Sequence, residues 1–146
     1  MMPFPLQTVL DVRKRQEERS LMDFVEEVRC LKEEKERLGG LQRQVNDALG
    51  LLRNLQEKTV EVMEMEMHLV HVRCCRRLVQ EQRSVVEQRE EEVRARRERL
   101  VHAMKERKVM ETLRDHHDGE QKKKEETREQ AAMDERAIIG ARRKKK

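Results

Sequence analysis

Leu21, Phe24, Val28, Leu31, Lys35, Leu38, Gln42, Val45, Leu49 and Leu52 follow one another at alternating steps of three and four, and eight of these ten residues are apolar. Such spacing holds one stripe on one side of an α-helix and marks a coiled-coil seam. A second series follows, with Met65, Val72, Val79, Val86, Val93 and Leu100 recurring every seven residues. Its companion positions are Cys75, Gln82, Arg89, Arg96, Ala103 and Met110, so this second seam is thin.

The two series are out of phase. Continued forward, the first would place Thr59 and Glu66 in the core, whereas the second begins at Met65. A break of this kind is either a stutter in one continuous helix or a reversal of the chain. A reversal near Lys58 and Thr59 sets Leu52 against Met65, Val45 against Val72, Leu38 against Val79, Leu31 against Val86 and Phe24 against Val93, apolar to apolar in each layer. The rival turn site is Gly39-Gly40, the strongest local breaker in the chain. Because the first seam runs through it in phase, the two glycines read as a weak point inside a helix, each costing about 1 kcal/mol relative to Ala. The fold class expected is therefore all-α: a long antiparallel two-helix coiled-coil hairpin, forming a single elongated domain. Helix one covers about 5–56, a hinge about 56–62, helix two about 62–139 and a basic tail 140–146. Pairing residue i with about residue 117 − i exhausts helix one near residue 112 of helix two, so helix two extends beyond it.

Composition supports this reading. The 146 residues are 44% charged and 1% aromatic, and both prolines, Pro3 and Pro5, lie at or before the first turn of helix one. Long helices have this composition, and the periodicity separates the chain from a merely charged, disordered one. The net charge is +4, of which residues 142–146 supply +5, so the rest of the chain nets −1. A nearly neutral body argues against a basic face laid along a duplex. The basic tail keeps open a second reading, a coiled coil that binds nucleic acid or an anionic membrane surface. No apolar run approaches the roughly 20 residues of a membrane span, and no signal-peptide pattern opens the sequence. Three cysteines, two of them adjacent, suit reduced thiols in the cytosol.

Candidate chemistry is sparse. His68, His71 and Cys75 share one helix face and are ligand types for zinc or copper, but the paired C-x-x-C arrangement of structural zinc is missing. No metal or cofactor is expected. Adjacent His116 and His117 diverge around the helix. Pairs such as Arg13 with Glu17 and Lys14 with Glu18 read as solvated i,i+4 partners. There is no phosphate loop or nucleophile elbow, and two helices enclose no pocket that would shift a pKa, so neither an enzyme nor a small-molecule substrate is expected. Two apolar clusters remain. Phe4, Leu6, Val9 and Leu10 sit at the open end of the hairpin, where they either staple that end or dock a partner. Met63, Met65 and Met67 crowd the hinge, either as tip packing or as a second, adaptable interface.

Three segments in order, F-x-L-Q-x-V-L-D-x-R at Phe4–Arg13, ERLVHAMKERKVMETLRDHH at Glu98–His117 and MDERA at Met133–Ala137, resemble the FliJ family of coiled-coil proteins of the bacterial flagellar type III export apparatus. The resemblance implies an antiparallel coiled coil like the central stalk of rotary ATPases. It implies a role in flagellar biogenesis and protein export, and with them motility and chemotaxis. The implied partners are the hexameric flagellar export ATPase, the export-gate membrane protein and export chaperones. The implied location is cytoplasmic, peripheral to the inner face of the membrane at the flagellar base. On this basis Phe4, Leu6, Val9, Leu10, Arg13, Met133, Asp134 and Glu135 form the ATPase end, while Met63, Met65 and Met67 form a weaker contact at the hinge.

Overall fold

A computed structural model describes residues 2–145. Two helices account for nearly all of it: α1 (Gln7–Gln56) and α2 (Val62–Lys144). The fold is all-α, with two long helices packed against each other. Among the described residues no helix is long and apolar enough to cross a membrane.

Local chemistry sets the helix boundaries. The Phe4 carbonyl accepts from the Gln7 amide at 3.2 Å and that of Leu6 from the Leu10 amide at 3.0 Å, which starts α1 just after Pro5. α1 stops at Gln56. The Glu61 carbonyl then accepts from the Met65 amide at 3.1 Å and opens α2, whose first turn carries Glu64 where an acidic side chain complements the helix dipole. Gly39 and Gly40 lie inside α1, and no described glycine has a positive φ. The helix passes through this pair, as its seam phase requires. α2 continues to Lys144 rather than ending near 139. Gly140 adopts helical geometry, and Arg142, Arg143 and Lys144 in the last turn are favourable against the negative end of the dipole.

The chain divides into two compact units where the pattern suggests a single domain: Met1–Arg19 with Val101–Lys146 (unit 1), and Ser20–Leu100 (unit 2). In unit 2 the two helix segments run antiparallel from the turn at 57–61. On α2 the buried residues are Val72, Cys75, Val79, Gln82 and Val86, as the sevenfold pattern predicts. On α1 the pattern is partly overturned. Phe24, Leu31, Leu38, Val45 and Leu52 are at least half-buried, but their companions are Ser20, Glu27, Glu34, Leu41, Ala48 and Leu55. Leu21 and Val28, expected in the seam, are 48% and 41% exposed.

The reason is polar complementarity. The carboxylate of Glu27, a residue only 2% exposed, accepts from Arg89 Nη1 at 3.0 Å and pairs with Arg96 Nη2 at 3.6 Å. Seven residues on, Glu34 accepts from Gln82 Nε2 through its carboxylate at 2.5 Å and through its backbone carbonyl at 3.0 Å. Gln82 and Arg89 are themselves seven apart, so one antiparallel register satisfies both pairs. Turning Leu21 and Val28 inward would leave the buried Gln82 amide without its acceptor and the partly exposed Arg89 without its carboxylate, a cost that offsets the exposure of two aliphatic side chains. The carboxylate of Glu27 in turn holds the Arg89 guanidinium above its ordinary pKa.

Candidate docking site

Unit 1 is built from the start of α1 and the segment of α2 from Val101 onward. Leu10 is fully buried and Ala103 is buried, with Met110 half-buried. The rest of the seam is ionic. Arg13 Nη1 donates to Glu106 Oε2 at 2.5 Å, and the other oxygen of Glu106 lies 2.9 Å from His102 Nε2. Arg107 pairs with Glu17 across the helices and donates to Glu111 at 2.7 Å. Glu111 and Glu17 together raise the Arg107 guanidinium above its ordinary pKa. Arg13 and Glu17 are thus not each other's i,i+4 partners on a solvated face, because each reaches across to α2. Phe4 closes the end of the unit, its ring 5.5 Å from the ring of His117 at a tilt of 55°.

This arrangement divides the expected contact residues. Leu10 is corrected: with no accessible surface, it holds the helices of unit 1 together and is closed to a partner. Phe4 is half-buried, and Arg13 is occupied by Glu106. Leu6 and Val9 are exposed, as is Val12 nearby. On α2 the same unit exposes Val101, Met104, Val109 and Leu113, and the last two line a shallow groove with Lys105, Lys108 and Thr112. The sequence reading missed Val109 and Leu113 as surface because only the burial of their neighbours shows which side of α2 faces α1. Met133, Asp134 and Glu135 are not brought to this patch. They lie sixteen or more residues beyond His117 along α2, about 24 Å at 1.5 Å per residue, on a stretch where every described residue from 126 onward is exposed. Asp134 accepts from Gln130 Nε2 at 3.0 Å within that stretch.

Once the ion pairs are taken out, Lys14, Arg15, Arg19, Lys105 and Lys108 stand without a carboxylate partner among the described residues of this part of unit 1. Of these, Lys105 and Lys108 line the groove beside Val109 and Leu113.

In unit 2, Met63 and Met67 are exposed one turn apart, while Met65 is half-buried on the seam. The hinge methionines therefore supply two accessible thioethers. Cys75 is buried with its Sγ 3.7 Å from His71 Nε2, and His68 is half-buried. Among the described residues no three His, Cys, Asp or Glu side chains are placed to hold a metal ion.

The family model described as Flagellar FliJ protein matches residues 2–146. No curated protein and no solved structure matches the chain. With the family match spanning essentially the whole sequence, over a pair of packed helices and an open apolar surface in unit 1, the chain belongs to the FliJ family of flagellar export proteins.

Proposed function

We propose that this protein is a soluble, non-catalytic stalk and adaptor of the bacterial flagellar type III export apparatus, and that unit 1 docks in the hexameric export ATPase. The observation that carries the reading is the accessible apolar set Leu6, Val9, Val12, Val109 and Leu113, set beside a seam already closed by Leu10 and its ion pairs. An end made only to close itself would bury those side chains against each other. An end that enters a ring of subunits keeps them free for contact. Met133, Asp134 and Glu135 form a second contact farther along α2, and Met63 and Met67 meet the export-gate membrane protein. This places the protein at the cytoplasmic face of the membrane, where it also handles export chaperones.

The test is co-elution with the purified export ATPase and stimulation of its hydrolysis, with helicity measured on the same samples. Leu6→Ser with Val9→Ser removes two contacts that are about two-fifths exposed, so each contributes about 0.6–1.2 kcal/mol if the remainder is buried in the complex. Binding is expected to weaken about tenfold or more while helicity is kept. Undiminished co-elution and stimulation would overturn the docking assignment. Leu10→Ser is uninformative here, because it opens unit 1 itself.

A further inference from the structure

Turning Glu27 and Glu34 inward leaves part of α1 in unit 2 with apolar residues that α2 does not cover. Leu21, Val25 and Val28 step by four and three with Met22 beside them, and all four are exposed. They make a stripe about two turns long. Beside it, Val28, Leu31, Lys32, Lys35 and Glu36 line a groove. The ion pair between Lys35 Nζ and Glu90 Oε1, at 3.6 Å, fixes which flank of α2 adjoins this side of α1. From Glu90 the same flank returns at Arg94 and Arg97, one and two turns on, opposite the part of α1 that carries the stripe. Arg94, Arg97 and Lys32 are exposed, and none has a carboxylate partner among the described residues. Glu36 is the one acidic residue lining the groove.

We propose that this groove binds an acidic amphipathic α-helix of a partner protein, which lies along α1 as a third helix of the bundle. Apolar side chains of the incoming helix at i, i+3 or i+4, and i+7 cover Leu21, Val25 and Val28. Its flanking carboxylates meet Lys32, Arg94 and Arg97. A second copy of this chain is a poorer occupant, since a twofold contact through this face would set the same cationic margin against itself. The surface belongs to unit 2, shares no residue with the ATPase surface proposed above, and stands or falls independently of it.

The experiment titrates the full-length protein into two labelled synthetic helices followed by fluorescence anisotropy. Both carry one leucine stripe at heptad spacing; one has glutamate and the other lysine on its flanks. The glutamate helix is expected to bind at least about tenfold more tightly than the lysine helix at low salt, and the difference shrinks as salt rises. Val25→Asp with Val28→Asp, both exposed and so harmless to the fold, should weaken glutamate-helix binding about tenfold or more with helicity unchanged. Arg94→Glu with Arg97→Glu should reverse the preference between the helices. Equal binding of the two, or binding indifferent to these substitutions, overturns the proposal. So does sedimentation showing that the protein dimerises and that Val25→Asp with Val28→Asp abolishes the dimer, since the occupant would then be a second copy.

Discussion

Glu27 occupies a seam position of unit 2 that an apolar residue would ordinarily fill, so its replacement tests how the two helices recognise each other. Glu27→Ala removes the acceptor for Arg89 and one of the two carboxylates paired with Arg96, which keeps Glu92 at 3.0 Å. A hydrogen bond to a charged group contributes about 1.5–3 kcal/mol, whereas breaking a wholly buried pair costs about 3–5 kcal/mol. The lower range applies here. The side chains of Arg89 and Arg96 are 42% and 28% exposed, so both guanidinium groups can turn to water once the carboxylate is gone. Glu27→Ala is therefore expected to lower the unfolding free energy by about 1.5–3 kcal/mol. Glu27→Leu should recover much of that loss, because an apolar side chain of similar volume fills the layer that the carboxylate leaves. Urea unfolding followed by far-ultraviolet circular dichroism reads both variants against the parent. If Glu27→Ala leaves the urea midpoint in place, the carboxylate is not what orients α1, and the explanation for the exposure of Leu21 and Val28 fails.

Other substitutions follow from the same packing. Gly39→Ala and Gly40→Ala should each raise helix stability by about 1 kcal/mol, since an added Cβ meets nothing within 4 Å at Gly39 and only the Arg43 side chain at 3.9 Å at Gly40; a lower urea midpoint in either variant would contradict the uninterrupted helix. Leu10→Ala should cost about 2–5 kcal/mol through lost burial and a residual cavity, with thermal unfolding showing a much smaller effect for the exposed Leu6→Ala. The hydrogen bond and charge of Arg29 hold Glu26 below its ordinary pKa of 4.5. The stabilisation from this pair is thus present above the unfolded-state pKa and is lost as the pH falls through the depressed folded-state value. Carboxyl chemical shifts should place the Glu26 midpoint below 4.5, and Arg29→Gln should return it upward.

The sequence disclosed the helices and the turn because these depend on periodicity alone. Valine at every seventh position from Val72 to Val93 leaves α2 only one way to face its partner, and the phase break locates the reversal without Gly or Pro. On α1, Phe24, Leu31, Leu38 and Val45 allow two choices of companion: the set three before and four after them, or the set four before and three after. Counting apolar residues favours Leu21 and Val28, whereas the fold chooses Glu27 and Glu34. The deciding signal was present but lay on the other helix: Gln82 and Arg89, seven apart, answer Glu27 and Glu34, also seven apart. In unit 1 the family-like motif marks a stretch of chain, but motif residues do not declare their exposure. Leu10 and Val9 are adjacent and equally apolar, yet one is buried and the other accessible, since successive positions differ by about 100° around the helix.

The central claim, that unit 1 docks in the export ATPase, is tested most directly by photo-cross-linking. A photoreactive phenylalanine analogue placed one position at a time at Leu6, Val9, Leu113, Met22, Met63 and Met67 in the full chain samples the exposed apolar surface of both units. Irradiation in the presence of the purified export ATPase is expected to give cross-linked ATPase from Leu6, Val9 and Leu113 and none from the other three. Cross-links confined to Met63 and Met67 would contradict the account, placing the ATPase contact at the turn in unit 2.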